Sequence, residues 1–422
     1  MMETRKGALI SAVLISAVAW LMTARTPAAA AQESPQSLAG APVRARDLGV
    51  PFDGRPGPLD AITDVQGVEV GFATLISGEG KLVVGQGPVR TGVTAIMPRG
   101  KDSTDQVLAG WFTENGNGEM TGTTWVEESG FLEGPVMITN THSVGVVRDA
   151  VIQWRVKHGQ PADSEYWWSL PVVAETYDGF LNDVNGFHVK PEDAWHALDG
   201  ARSGPVPEGN VGGGTGMVCY EFKGGTGNAS RHLSAGNGGY TVGVLVQCNC
   251  GARDLLRIAG APVGREIPEH KVWSERRDAN LPGGTVLAQA ESTAQRDAGS
   301  IIIVVATDAP LIPTQLKRLA RRATLGLART GTISGNGSGD IFIAFSTANA
   351  GAAKPSGIRH LDMIPNDQMD PLFEATVEAT EEAIINAMVG AQTMTGINGN
   401  TAIALPHEKL RDILKKYNRL EH

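Results

Sequence analysis

The chain has 422 residues, with 36 Lys and Arg against 45 Asp and Glu, a formal net charge of −9 at pH 7. The first 31 residues carry a net +2 from Arg5, Lys6 and Arg25 against Glu3, so the remainder stands near −11. That balance repels phosphate backbones and anionic lipid surfaces, and argues against nucleic acid or membrane as partners.

At the start, Arg5 and Lys6 precede the apolar stretch Gly7 to Met22 and the small-residue run Ala28 to Ala31, the order of a cleavable secretory signal over residues 1–31. Its 16 apolar-stretch residues fall short of a membrane span, which needs about 20. No later stretch is longer and equally apolar, so the mature chain is expected to be soluble, periplasmic or secreted, with no membrane contact. Residues 32 to about 58, rich in Pro, Gly and Arg, read as an extended arm. From Ala61 to about His407 no linker interrupts the chain. One core usually stops growing near 250 to 300 residues, so a stretch of roughly 350 points to a layered sandwich with two sheets.

Strands are predicted at Gly67 to Ala73, Gly92 to Met97, Val136 to Thr139, Tyr240 to Val246, Ile301 to Thr307 and Ile341 to Phe345. Helical spacing of apolar residues marks Gly145 to His158, Thr314 to Thr330 opened by Pro313, Pro371 to Met388 ending at Gly390, and Pro406 to Arg419. Lys317, Arg318, Arg321 and Arg322 form the solvated face of the second of these. Between Ala252 and Gly299 the periodicity is lost, and the segment reads as a surface loop. The three cysteines are an odd number; Cys248 and Cys250 sit two apart on a strand, so their sulfurs share a face. They read as small core residues, with one bridge from Cys219 left open.

The glycine-rich runs Gly209 to Gly216 and Gly335 to Gly339 fit neither GxxxxGK[ST] nor GxGxxG and read as close-approach backbone lining a pocket. The nine histidines show no HExxH and no pair at ligand spacing, so no metal and no cofactor is expected. No serine has glycine two residues away on both sides, which excludes the nucleophile elbow of an α/β-hydrolase. Ser300 is of interest for another reason. The polar stretch ends at Gly299-Ser300 and the wholly apolar run Ile301 to Ala306 begins, placing Ser300 at the mouth of a buried strand. Cleavage before Ser300 gives one residue both a hydroxyl nucleophile and an α-amine base.

The block GSIIIVVATDAPL around Ser300, with GNGEMTG, TNTHSVG, PVVAETYDG, EGNVGGGTGM, YTVGVLVQCN and SGNGSGDIFIAFSTAN, resembles in order the autoprocessing serine aminopeptidases. These include D-aminopeptidase (L-aminopeptidase D-Ala-esterase/amidase) and the β-peptidyl aminopeptidases, and the resemblance runs from about Arg44 to about His407. It implies an α+β, Ntn-hydrolase-like fold, a four-layer α-β-β-α sandwich. A single catalytic domain would be cut at Gly299-Ser300 into an α chain, residues 32–299, and a β chain, residues 300–422. Ser300 then corresponds to the N-terminal nucleophile, Ser338 and Asp340 to the pair that holds its amine, and Asn249 and Tyr177 to oxyanion donors. Glu175 corresponds to the carboxylate that receives the substrate ammonium. The implied substrates are short peptides, amides or esters with a free N-terminal amine, and the implied assembly is a homo-oligomer of αβ units.

Asp340 and Tyr177 lean towards the D-aminopeptidases, since the β-peptidyl enzymes tend to carry glutamate and a non-aromatic residue there. The export signal and the long Ala252 to Gly299 segment lean the other way. Two rivals stand beside this reading: an ornithine acetyltransferase-like enzyme, whose nucleophile is threonine, and a non-catalytic periplasmic binding protein.

Overall fold

In the computed structural model, residues 43–158, 167–270, 272 and 299–421 are described. The expected signal peptide, the first part of the arm and most of the segment before Gly299 lie outside them. Two sheets carry the fold. The larger has the order β4 (Phe131–Leu132), β3 (Val107–Gly116), β12 (Gly339–Ser346), β11 (Ser300–Thr307), β10 (Thr241–Asn249) and β9 (Gly225–His232). The smaller has the order β1 (Glu69–Ser77), β2 (Val89–Met97), β5 (Val136–Asn140) and β6 (Val172–Thr176). A short ribbon, β7 (Val218–Cys219) with β8 (Phe222–Lys223), lies near the end of β10.

β11 explains why its sequence is apolar without alternation. Ile301, Ile303 and Val305 enter one core with the helices over the larger sheet, while Ile302, Val304 and Ala306 enter a second core shared with the smaller sheet. A strand buried on both faces has no polar side to show. The first of those cores is closed by α5 (Pro313–Arg329), through Leu316, Leu319 and Ala323, and by α6 (Asp370–Val389), through Leu372, Ala379 and Ala383. On the far side, α2 (Val144–Lys157) and α3 (Pro191–Asp199) bury Val147, Val151, Ala194 and Leu198 against Ala73, Val93, Ala95 and Val173. The order is helix, sheet, sheet, helix, the four-layer α+β sandwich expected. The smaller helices are α1 (Thr123–Ser129), α4 (Val263–Glu266) and α7 (His407–Lys416).

Three expectations need correction. The arm is not a free extension once it can be described: Ala45, Leu48 and Val50 are buried, and Arg44 and Arg46 enter an ion-pair network. The segment after Ala252 begins as core, with Arg253, Leu256, Ile258, Val263 and Ile267 buried; residues 271 and 273–298 fall outside the described residues. The basic face of α5 is only partly solvated, because Arg322 and Arg318 lie over the Phe373 ring and Arg321 over Phe112. Of the glycine runs, Gly212–Gly216 is wholly buried against β2 and β9, a close backbone approach. A Cβ on Gly92 would lie 2.3 Å from the Gly212 carbonyl oxygen.

The network that fixes the arm joins the half-buried Arg44 and Arg46 to buried carboxylates. Arg231 on β9 pairs with Glu382 at 2.8 Å and Glu378 at 3.3 Å, both on α6, and Arg46 meets the same Glu382 at 2.7 Å. Arg44 bridges Glu208 and Asp60, each at 3.0 Å. Burial pushes the Asp60 carboxyl up to about 6, aided by the nearby Glu382 and opposed by Arg44. Arg231→Ala leaves the fully buried Glu382 short of a partner, and removing one member of such a pair costs about 3–5 kcal/mol. Denaturant unfolding at neutral pH should show a loss of that size, and an unchanged midpoint would assign the network no stabilising part.

Candidate active site

Ser300 opens β11, directly opposite Asn249 on antiparallel β10 and beside Gly339 on parallel β12. By alternation it shares a face with Ile302 and Val304, the face turned to the smaller sheet. Its side chain is 7% exposed, and Oγ accepts a 3.3 Å hydrogen bond from the Gly339 N–H. Asn249 closes β10 on the same face, because directly opposed residues of an antiparallel pair project together. Its Oδ1 accepts from the Val218 N–H at 2.8 Å. A backbone N–H can only donate, so the amide's NH2 end is turned away from Val218 and available as a donor.

On the other flank, Ser338 Oγ donates to Asp340 Oδ1 at 2.6 Å, and both side chains are buried. The loop that carries them is held by the end of β3. Asn115 Nδ2 donates to the carbonyls of Ser334 and Gly335, Asn117 Nδ2 to Gly337 at 2.8 Å, and the Asn117 N–H to Ser338 at 3.2 Å. Asn115 and Asn117 were not singled out in the sequence.

Glu175 sits on β6, in the smaller sheet, and is buried. Oε1 accepts from the Glu119 N–H at 3.0 Å and Oε2 from the Thr141 hydroxyl. Burial pushes its carboxyl above the usual value, while those two hydrogen bonds pull it back down. Gly118 joins the two sheets here: a Cβ on it would lie 3.1 Å from Gly339 Cα and 3.3 Å from Glu175 Oε1. The carboxylate is therefore one glycine away from the strand end that touches Ser300. Gln247, two residues before Asn249, ties the sheets a second time by donating to Thr139 O at 2.9 Å and Thr176 Oγ1 at 2.8 Å.

Ser300, Asn249, Ser338, Asp340 and Glu175 thus converge at one end of the paired sheets. Tyr177 stands further out, 48% exposed just after β6, with its ring over Gly179. Beneath it Asp178 is buried, accepts from Asn182 Nδ2 at 3.0 Å, and is pushed up to about 6 by burial. Beyond Thr141, His142 stacks on Phe187, whose ring is 60% exposed and whose φ is +51°. Neither Asp178 nor this aromatic pair carried a signal in the sequence. The three cysteines are buried and form no disulfide, so the bridge left open from Cys219 is not formed.

A serine that opens a central strand of two stacked sheets, opposite an amide and near an enclosed carboxylate, defines an Ntn-type hydrolase. The L-aminopeptidase D-Ala-esterase/amidase from Ochrobactrum anthropi, a prototype for the serine aminopeptidases and a new variant among the Ntn hydrolase fold, superimposes with a TM-score of 0.78. It is 47% identical, over 89% of this chain and 99% of that one. The β-peptidyl aminopeptidase BapA of Sphingosinicella microcystinivorans is 60% identical over 378 residues, 89% of this chain and 93% of the relative. BapA of Sphingosinicella xenopeptidilytica is 50% identical over 383 residues, 90% and 92% of the two chains. The model of peptidase family S58 matches residues 60–402, and the chain belongs to that family, whose members are serine aminopeptidases.

Gly339 is a tight point of the site, since a Cβ there would lie 2.5 Å from the Asn117 carbonyl oxygen. Gly339→Ala must displace either the β3 end or the Ser338 loop. Overpacking of this kind costs about 1–3 kcal/mol, and a shift of about 1 Å at a reacting group can cost about a hundredfold in rate. Thermal unfolding and aminopeptidase assays on that variant should show a modest stability loss with a large activity loss. Normal turnover would place the reacting groups elsewhere.

Proposed function

We propose that this aminopeptidase is exported, cuts its own Gly299-Ser300 bond, and uses the freed Ser300 to remove N-terminal residues, β-amino acid residues foremost, from short peptides. The observation that carries the reading is the register of β10 and β11, which sets Ser300 opposite Asn249 with Glu175 one glycine away. The export signal and the cut are read from the sequence. The preference for β-residues rests on the 60% identity to a β-peptidyl aminopeptidase, which outweighs the lean of Tyr177 and Asp340.

In the reaction, Ser300 Oγ attacks the scissile carbonyl and its proton passes to the Ser300 α-amine, whose free pKa is about 8. The Asn249 amide and the Tyr177 phenol donate to the oxyanion as charge develops, the term that usually dominates such catalysis. Collapse expels the leaving amine, which takes the proton, and water then releases the acyl group by the same path in reverse. Ser338, bonded to Asp340, holds the amine of residue 300 in line. The buried Glu175 pairs with the substrate's ammonium, which makes the enzyme an exopeptidase. Assembly of the αβ units into a homo-oligomer, in the periplasm or outside the cell, completes the reading.

Purified protein should separate on a denaturing gel into two fragments, the smaller beginning Ser300-Ile301-Ile302, and Ser300→Ala should stay whole. N-terminal sequencing that found an intact wild-type chain, or another cut, would remove the basis for the mechanism.

The Glu175 carboxyl, raised by burial, takes up a proton at a pH where an ordinary glutamate is still ionised. Ammonium binding is therefore complete above its pKa and is lost as pH falls through it, so KM should rise on an acid limb lying above 4.5, the ordinary glutamate value. Glu175→Gln should abolish that limb and raise KM at neutral pH by about a hundredfold or more, from the unpaired ammonium. N-acetylated peptides should be refused by the wild type. Equal hydrolysis of free and acetylated peptides, or an unchanged acid limb in the variant, would show that the amine is not what Glu175 reads.

A further inference from the structure

The sequence separates Cys219 from Cys248 and Cys250 by some thirty residues, yet the fold gathers all three. Cys248 and Cys250 point together because they are two apart at the end of β10, and β7 brings Cys219 alongside. The Sγ atoms of Cys219 and Cys250 are 3.8 Å apart, those of Cys248 and Cys250 are 3.6 Å apart, and all three lie within 4.8 Å of one another. With a zinc–sulfur bond of about 2.3 Å, thiolates on one ion stand about 3.8 Å apart in tetrahedral geometry and about 4.0 Å in trigonal geometry. Two sides of the sulfur triangle already have about those dimensions, and the third is no longer than 4.8 Å. Among the described residues this is the one cluster of Cys, His, Asp or Glu with metal-ligand spacing.

A second, independent feature is the lysine beside them. Lys223 is fully buried on β8, where its Nζ donates to Gly224 O at 2.8 Å and Gly214 O at 3.4 Å. No carboxylate among the described residues lies within ion-pair distance of it. Burial pushes its ammonium down to about 7, opposed by its ionisable neighbours Cys219 and Cys248. Buried ions need a counter-charge. A divalent ion held by three thiolates carries a net −1, which a lysine ammonium neutralises.

We propose that Cys219, Cys248 and Cys250 form a binding site for a thiophilic divalent d10 ion, zinc or cadmium, with Lys223 as its counter-ion. Loading replaces three S–H bonds by three metal–sulfur bonds and releases three protons, with no change of oxidation state. Softness of the ligands selects these ions over calcium or magnesium. Because the sulfurs are buried, the ion enters while the chain folds. The site lies on the opposite face of the sheet from Ser300, in the core under α5 and α6. It is linked to the active site through backbone alone, since Asn249 stands between two of its ligands and is held by Val218, the neighbour of the third. The ion would brace Asn249 without touching substrate.

The test uses the full chain expressed in zinc- or cadmium-supplemented medium, purified without chelator and desalted. Elemental analysis should find about one ion per chain, released on unfolding together with three titratable thiols. The cadmium form should show thiolate-to-metal charge-transfer absorption in the ultraviolet. Cys219→Ser and Cys248→Ser should each reduce the content to background. Metal-free protein that exposes three thiols on unfolding would overturn the proposal. So would one thiol accompanied by a disulfide, or an ion that persists in both variants and is therefore adventitious. The release measurement on wild-type protein decides the matter even where a serine variant does not fold.

Discussion

Everything at the active end depends on the antiparallel pairing of β10 with β11. Eight consecutive residue pairs, from Val242 with Thr307 to Asn249 with Ser300, fix the register. A slip of one residue would send Ile302 and Val304 to the helical side and Ile301 and Ile303 to the inter-sheet side, exchanging two differently shaped cores at once. Burial on both faces makes that slip expensive. The position of one hydroxyl opposite one amide is therefore enforced by apolar packing along the whole strand, and no polar contact at the site has to supply it.

The smaller sheet contributes by being close rather than by pairing. Glycines at 92, 212 and 213 let backbone approach where any side chain would collide, Gly118 leaves little room for one, and Gln247 spans the remaining gap with two hydrogen bonds. That closeness places a carboxylate from β6 against a strand end of the other sheet. It also encloses Glu175, and enclosure is what raises its affinity for protons.

Much of this was legible in the sequence where burial is two-sided or helical. β11 and the core half of β12 are continuous apolar runs, and α5 and α6 show clear spacing. β9 was not legible, because its residues Gly225 to His232 are small and polar. All but His232 are buried because α6 lies almost on the backbone, and a Cβ on Gly227 would meet the Ala383 carbonyl oxygen at 2.0 Å. β3 was missed for another reason: its outer half, Thr113 to Gly116, is largely exposed and carries the asparagines that hold the Ser338 loop. The arm misled through its charges, since Arg44 and Arg46 look solvated until distant carboxylates of β9's neighbourhood and α6 are placed around them. Candidate site residues were found through block resemblance, while Asn115, Asn117, Gly118 and Gln247 depend on contacts that only the folded chain creates.

The strand order of the larger sheet has one more consequence. β11 and β12 lie side by side, with β10 on one flank and β3 on the other, and both flanking strands come from earlier in the chain. A break between residues 250 and 299 would leave the two pieces interleaved within one sheet, each supplying the other's neighbours. Neither piece could close a core alone. For such a nicked molecule unfolding and dissociation are the same event, so its stability would come to depend on protein concentration, as that of an obligate heterodimer does.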